Sequence, residues 1–409
     1  MNHPAAALRR WGQALALLSL VAALLACSAT TTGYPTPGVT LPAGSQPTVP
    51  AIAASTPAIQ PVAPQTALPA APPAAQPTAS VAPAESVPTL TTPPVQVSLR
   101  QLTSGGCCSG HFWSADGRLL VLDKPDAAAS TGIWQIGLEP GSAPQLVQSR
   151  LGAFSPNLEL RAFPFGRQAV VERLSDGQQW VVPSEGRPVS FSPDSQQLAW
   201  TAGNPNAPPG PDERKIWISQ FDGTQARAVE TIPMVGFSAW FPDGRLLVSG
   251  RLDPPESGQA LWAVTPLPAG QTGQAPAVEL ARGERIRSPL LSPDGRWLVY
   301  MVTFSADPAQ DGLWLVDTQS LQRRRIEPFG AYRWRDNSRL LIAPLDLTNP
   351  LNSLWQVDAA SGVAAPLVTP DQAAFKIAAG DWTVSPDGRA AVFLSAQDQN
   401  LWLITLPED

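Results

Sequence analysis

The chain has 409 residues, with 33 acidic against 27 basic side chains, a formal net charge of −6 and 44% hydrophobic residues. That negative balance argues against a nucleic acid as partner. The composition changes sharply along the chain and divides it into three stretches.

Residues 1–27 carry Arg9 and Arg10 ahead of an apolar run, 14–25, that is too short to span a bilayer comfortably and ends in Leu24, Leu25, Ala26 and Cys27. This resembles a bacterial lipoprotein signal with its lipobox, which implies that Cys27 is the lipidated first residue of the mature chain. An uncleaved anchor, or an ordinary signal peptide with a chance Cys, is the alternative; all three predict export. Residues 28–94 are built mainly from Pro, Ala, Thr, Ser, Val and Gln with one charge, Glu85. Such a segment has no periodic apolar face to offset ordering entropy, and it is expected to be a disordered, locally polyproline-like tether.

Residues 95–409 read as an all-β protein built from repeats. The clearest unit is LSPDGRWLVY at 291–300 followed by GLWLVD at 312–317. Ser292-Pro293-Asp294-Gly295 places a preferred residue at each position of a tight turn, and the apolar run after it has no polar face, as in a strand packed on both sides. The same turn recurs at Asp116, Asp194, Asp243 and Asp387, with degenerate copies at Asn157 and Asn337, at spacings of 37 to 51 residues. Seven copies averaging about 45 residues match four-stranded propeller blades. Each unit except the second also carries a Trp strand, centred on Trp134, Trp217, Trp262, Trp314, Trp355 and Trp402. In the second, the glycine register sets AVVERLSDG in that place and moves Trp180 to the next strand. The last unit stops after its Trp strand, and 97–102 resembles the outer strands at 143–149 and 364–370. The N-terminal segment is therefore predicted to complete the last blade and close a seven-bladed ring.

The SPDG turn, the apolar strand after it and the LWxxD run resemble the TolB-type propeller repeat, found in the periplasmic Tol protein and in propeller domains of some exported peptidases. The resemblance covers nearly all of 95–409. It departs from those relatives in lacking a helical N-terminal domain of the Tol kind and the length for a hydrolase domain. Propellers host unrelated activities, so the resemblance implies a fold and not a function.

In such a blade the turns between strands one and two and between three and four share one face. Here they are short. The other face carries the long, varied loops 202–212, 251–259, 303–311 and 344–352, and binding is expected there and at the mouth of the central channel. The candidate residues at that mouth are Cys107, Cys108, His111, Arg285, Arg287, Arg333, Arg335, Asp381 and Trp382. Cys107 and Cys108 are suited to a vicinal disulfide between flanking glycines, as a redox switch or a loop stiffener, or to a soft-metal site with His111, the only His of the mature chain; two adjacent Cys and one His are too few for a closed zinc site. The arginines beside an aromatic suit a carboxylate, phosphate or sugar, or pair with nearby acids. The repeated turn aspartates are structural, the tryptophans are expected in the core, and Arg323, Arg324 and Arg325 guard an outer strand.

No nucleophile elbow, HExxH, phosphate loop or His triad occurs, so no catalytic residue, metal or cofactor is assigned. The reading is a monomeric, membrane-tethered binding or scaffolding module whose partner is an envelope protein, peptide or glycan. The alternatives are a lyase or hydrolase using Asp381, Glu284 and the nearby arginines, and a redox sensor using Cys107 and Cys108.

Overall fold

The structure, a computed structural model, describes residues 97–139, 141–203, 215–229, 235–251 and 258–407. Cys27, the signal and the tether lie outside the described residues, as do most of the predicted loops 202–212 and 251–259. The compact unit is Pro94–Asp409.

Seven four-stranded antiparallel sheets follow one another around the ring. Blade 1 runs Gly110–Trp113, Leu119–Asp123, Gly132–Ile136 and Gln145–Gln148, innermost strand first, and blades 2 to 6 repeat that order through 153–368. Blade 7 takes Ile377–Val384, Ala390–Ser395 and Leu401–Thr405 from the C-terminal end and its outermost strand, Ser98–Gln101, from the N-terminal end. Ser98 stands opposite Thr405 and Gln101 opposite Trp402, so the predicted closure is formed. Blade 2 has its third strand at Gln168–Arg173 and Trp180 on the fourth, Gln179–Val182, as the glycine register required.

The core lies between blades. Val121, Leu198, Val248, Val299, Ile342 and Val392, each on a second strand, are fully buried because neighbouring sheets cover both of their faces. One cluster joins Leu119, Val121 and Ile136 of blade 1 to Val392, Leu401 and Leu403 of blade 7, with Cys107 and Cys108 packed against it. The tryptophans are less uniformly internal than expected. Trp200 and Trp262 are buried, whereas Trp134, Trp314 and Trp402 are half-buried. The indole N–H of Trp134 donates to Ser130 O and that of Trp314 to Gln310 O, so these rings cap the loop before their own strand.

The SPDG turns owe their shape to a serine as much as to the aspartate. Ser292 Oγ donates to Asp294 Oδ1 at 2.6 Å and accepts the N–H of Trp297 at 2.9 Å, while Gly295 takes φ 73°. Ser385 repeats this with Asp387 and Ala390, and Ser155 with Asn157 and Leu160. In blade 6 Arg335 replaces the serine, and Asp336 rather than Asn337 accepts the turn N–H groups of Ser338 and Arg339.

Candidate functional site: the bulged channel mouth

The innermost strands line the channel, and three of them are irregular. In blade 7, Ile377 pairs with Ser395 and Trp382 with Phe393, so that Ala378, Ala379, Gly380 and Asp381 stand against Leu394 alone. Ala379 (φ 47°) and Gly380 (φ 74°) take left-handed backbone there. In blade 5, Ser288 and Pro289 stand against Tyr300, and Ser288 has φ 49°. A smaller shift occurs between Phe237 and Ala239 in blade 4. Proline and glycine inside a strand mark bulges, because one lacks a ladder N–H and the other tolerates the turn; Pro289 and Gly380 were therefore the signals in the sequence.

The blade 7 bulge is gripped from both sides. From blade 6, Arg333 Nε donates to Trp382 O at 2.8 Å, one terminal nitrogen donates to Tyr332 O at 2.7 Å, and the guanidinium lies 5.5 Å from the centre of the Trp382 ring. Burial pushes the Arg333 pKa down, and the charge of Asp381 opposes that shift. The Tyr332 hydroxyl donates to Ser288 O of the blade 5 bulge, and burial raises its pKa.

From blade 1, His111 faces the same bulge with its side chain fully buried. Its Nε2 lies 3.2 Å from Val392 O and its Nδ1 lies 3.4 Å from Asp381 Oδ1 without a hydrogen bond. Burial lowers the His111 pKa, with the Asp381 charge opposing and the Arg333 charge adding to the shift. A neutral imidazole has one N–H and one lone pair. With the proton on Nε2 toward Val392 O, the bare Nδ1 faces a carboxylate. Asp381 itself is 37% exposed and accepts no hydrogen bond from any described residue. Two acceptors thus converge where the channel opens, and a donor or cation is what they would bind.

The remaining expected residues fall in three places. Cys107 and Cys108 are joined by a disulfide, with Cα atoms 3.7 Å apart. Their amides donate to Gln399 O of blade 7 and Lys124 O of blade 1, so the pair sits on the closure seam at the loop face. Arg285, in the connection from blade 4 to blade 5, and Arg287, on the innermost strand Ile286–Leu291 of blade 5, are exposed; beside them Glu284 accepts the Ala306 N–H at 2.8 Å and Asp311 faces Arg285. Arg335 does not reach the mouth: it belongs to a first-to-second turn at the other end, where it is buried and donates to Gly388 O, Gln356 Oε1 and Pro407 O. Arg335 was expected beside Arg333, but it lies just past the far end of the innermost strand Gly330–Trp334. Tyr332, Ser288 and Val392 join the site and were not expected. Among the described residues no group of three or more His, Cys, Asp or Glu side chains comes together as a metal site.

These features define a class: a seven-bladed β-propeller closed by its N-terminal strand, with a bulged channel mouth. No family model matches the chain, and no curated protein matches it. Among solved structures it is similar to an oligogalacturonate lyase in complex with manganese, at 15% identity and TM-score 0.50 over 76% of this chain and 91% of that one. An oligogalacturonate lyase from Vibrio parahaemolyticus aligns at 11% identity and TM-score 0.50 over 78% and 93%. TolB from Acinetobacter baumannii aligns at 12% identity and TM-score 0.29 over 61% and 79%. At these identities the likeness to the lyases shows the propeller fold alone.

Proposed function

We propose that this chain is a membrane-tethered extracytoplasmic binding or scaffolding module that presents the loop face and channel mouth of its propeller to an envelope protein, peptide or glycan. The observation that carries the reading is the Asp381 carboxylate, part-exposed in a bulged strand, without a hydrogen bond from a described residue and backed by the bare face of His111. Such a carboxylate suits a ligand rich in donors, a sugar hydroxyl pair or a peptide amine, and the exposed Arg285 and Arg287 extend the surface for acidic groups. Tethering through Cys27 places the module at a membrane without committing the propeller to it.

Asp381→Asn tests this. It keeps the shape and removes the charge that attracts a donor, and loss of a charge-assisted hydrogen bond weakens binding by roughly 10- to 100-fold. Equal affinity of wild type and Asp381→Asn for a captured envelope glycan or peptide would remove the mouth from the account. The redox reading is favoured by one observation, the Cys107–Cys108 disulfide on the closure seam. Thiol titration before and after a mild dithiol reductant checks it: no newly titratable thiol counts against a sensor.

A further inference from the structure

The face opposite the channel mouth carries a second cavity, and it arises from a break in the repeat. In blades 5 and 6 the third-to-fourth connection is short, 318–322 and 359–363. In blade 4 it runs over 265–276, between Gln259–Val264 and Ala277–Gly283, and is closed at its base by the Thr265 N–H on Pro276 O at 2.9 Å. The long loop reaches across to blade 3 and walls a cavity of about 470 Å³ with Trp240 and the turns at Asp194 and Asp243. That volume lies within the roughly 300–1,000 Å³ of small-ligand sites.

The charges of this cavity are incompletely matched. Arg245 pairs with Asp243 at 2.8 Å, as Arg118 does with Asp116. Arg227, on the outer strand of blade 3, forms no ion pair among the described residues. Its guanidinium donates to Leu267 O at 3.1 Å and Gln225 O at 3.3 Å, and burial depresses its pKa. A guanidinium has five N–H donors, so donors remain to meet a carboxylate. Asp194 is the other unmatched charge. Gln196 stands where the blade 1, 4, 5 and 7 turns have Arg, so its carboxylate receives the Ser192 hydroxyl and the Gln196 N–H but no cation among the described residues. Trp240, fixed by its indole N–H on Ser190 O at 3.2 Å, supplies an apolar wall together with Leu267.

We propose that this cavity between blades 3 and 4 binds a short apolar peptide with free termini, its carboxylate on Arg227 and its ammonium toward Asp194. With two acids and two arginines the lining is neutral, and a neutral zwitterion matches it where a phosphate dianion would meet Asp194 and Asp243. The apolar side chains lie on Trp240 and Leu267. The site is independent of the channel mouth.

The test uses the full chain and the tripeptide Ala-Pro-Leu as probe, followed by the Trp240 indole N–H resonance and by calorimetry. The free tripeptide is expected to bind saturably, with its C-terminal amide and its N-acetyl form each about tenfold weaker or worse. Arg227→Gln should erase the discrimination between acid and amide, and Arg227→Lys should retain part of it. Asp194→Asn should erase the discrimination between free and acetylated amine; Asn157 holds the equivalent place in blade 2, so the turn accepts that residue. Equal binding of acid and amide by the wild type, no saturation up to about 10 mM, or unchanged discrimination in a folded Arg227→Gln protein overturns the proposal.

Discussion

Ser292 shows how one hydroxyl sets a blade. It is buried, donates to Asp294 and accepts the N–H of Trp297, so a turn side chain and the first residue of the second strand share one oxygen. Ser292→Ala leaves that N–H and a carboxylate lone pair without partners, at a cost of about 1–2 kcal/mol. A urea midpoint that falls with an unchanged slope is the expected result, and an unchanged midpoint would contradict it. His111 sets the pH response. Burial holds its pKa below the usual 6.5, against the opposing charge of Asp381 and with that of Arg333, so the unfolded chain takes up the proton first as pH falls. Its contribution is complete above 6.5 and is lost as pH drops through that value toward the lower folded pKa. Urea midpoints should therefore fall as the pH drops below about 6.5 in the wild type and fall less in His111→Gln. Parallel curves would show that His111 is not the group responsible. Of the residues expected at the mouth, His111, Arg333, Asp381 and Trp382 come together, whereas Cys107 and Cys108 lie on the closure seam. Arg335 at the other end was legible too: it stands two residues before Asn337, as Ser292 stands before Asp294, and the blade 6 turn therefore places it away from the mouth.

At the scale of the strand, regular and bulged elements are expected to respond differently to substitution. The closing strand Ser98–Gln101 pairs with Leu401–Thr405, and Leu99 packs against the cluster of Leu341, Phe375 and Phe393. Leu99→Asp puts a charge into that contact and should cost about 2 kcal/mol or more, with blade 7 the first sheet to exchange its amide hydrogens. If exchange in blade 7 is no faster than in blade 4, closure by this strand is not the weak point. The bulged strand behaves differently. Gly380 at φ 74° would hold a β-branched side chain only under strain, so Gly380→Val should cost about 1–3 kcal/mol and reshape the seat of Asp381. Ligand affinity at the mouth is expected to fall more than stability does; a stability loss with unchanged affinity would separate the bulge from binding. The repeat was readable because turn and strand patterns recur seven times. The bulges were signalled only by Pro289 and Gly380, one residue each, too little to show which neighbouring side chains would grip them. The third-to-fourth connections were expected to be short, and 265–276 in blade 4 corrects this; its Pro266, Pro268, Gly270, Gly273 and Pro276 were the signal for a longer loop.

Across the whole molecule, the two faces of the ring are built differently. One carries the short turns and, in blade 4, the enlarged connection 265–276 that walls the cavity against blade 3. The other carries the closure seam, the disulfide, the loops 303–311 and 344–352 and the bulge that holds Asp381 between His111 and Arg333. A propeller is stiff because each blade buries its neighbours' strands, so a ligand at the mouth meets a surface prepared in advance and loses little affinity to reorganisation. Uptake of a partner at that mouth is our proposal. It is tested most directly by capture from envelope extract with the immobilised full chain, comparing wild type, Asp381→Ala and the opposite-face control Leu267→Ala. One partner is expected to be retained by wild type and Leu267→Ala and lost from Asp381→Ala. The same partner held by Asp381→Ala, or lost only from Leu267→Ala, would contradict it.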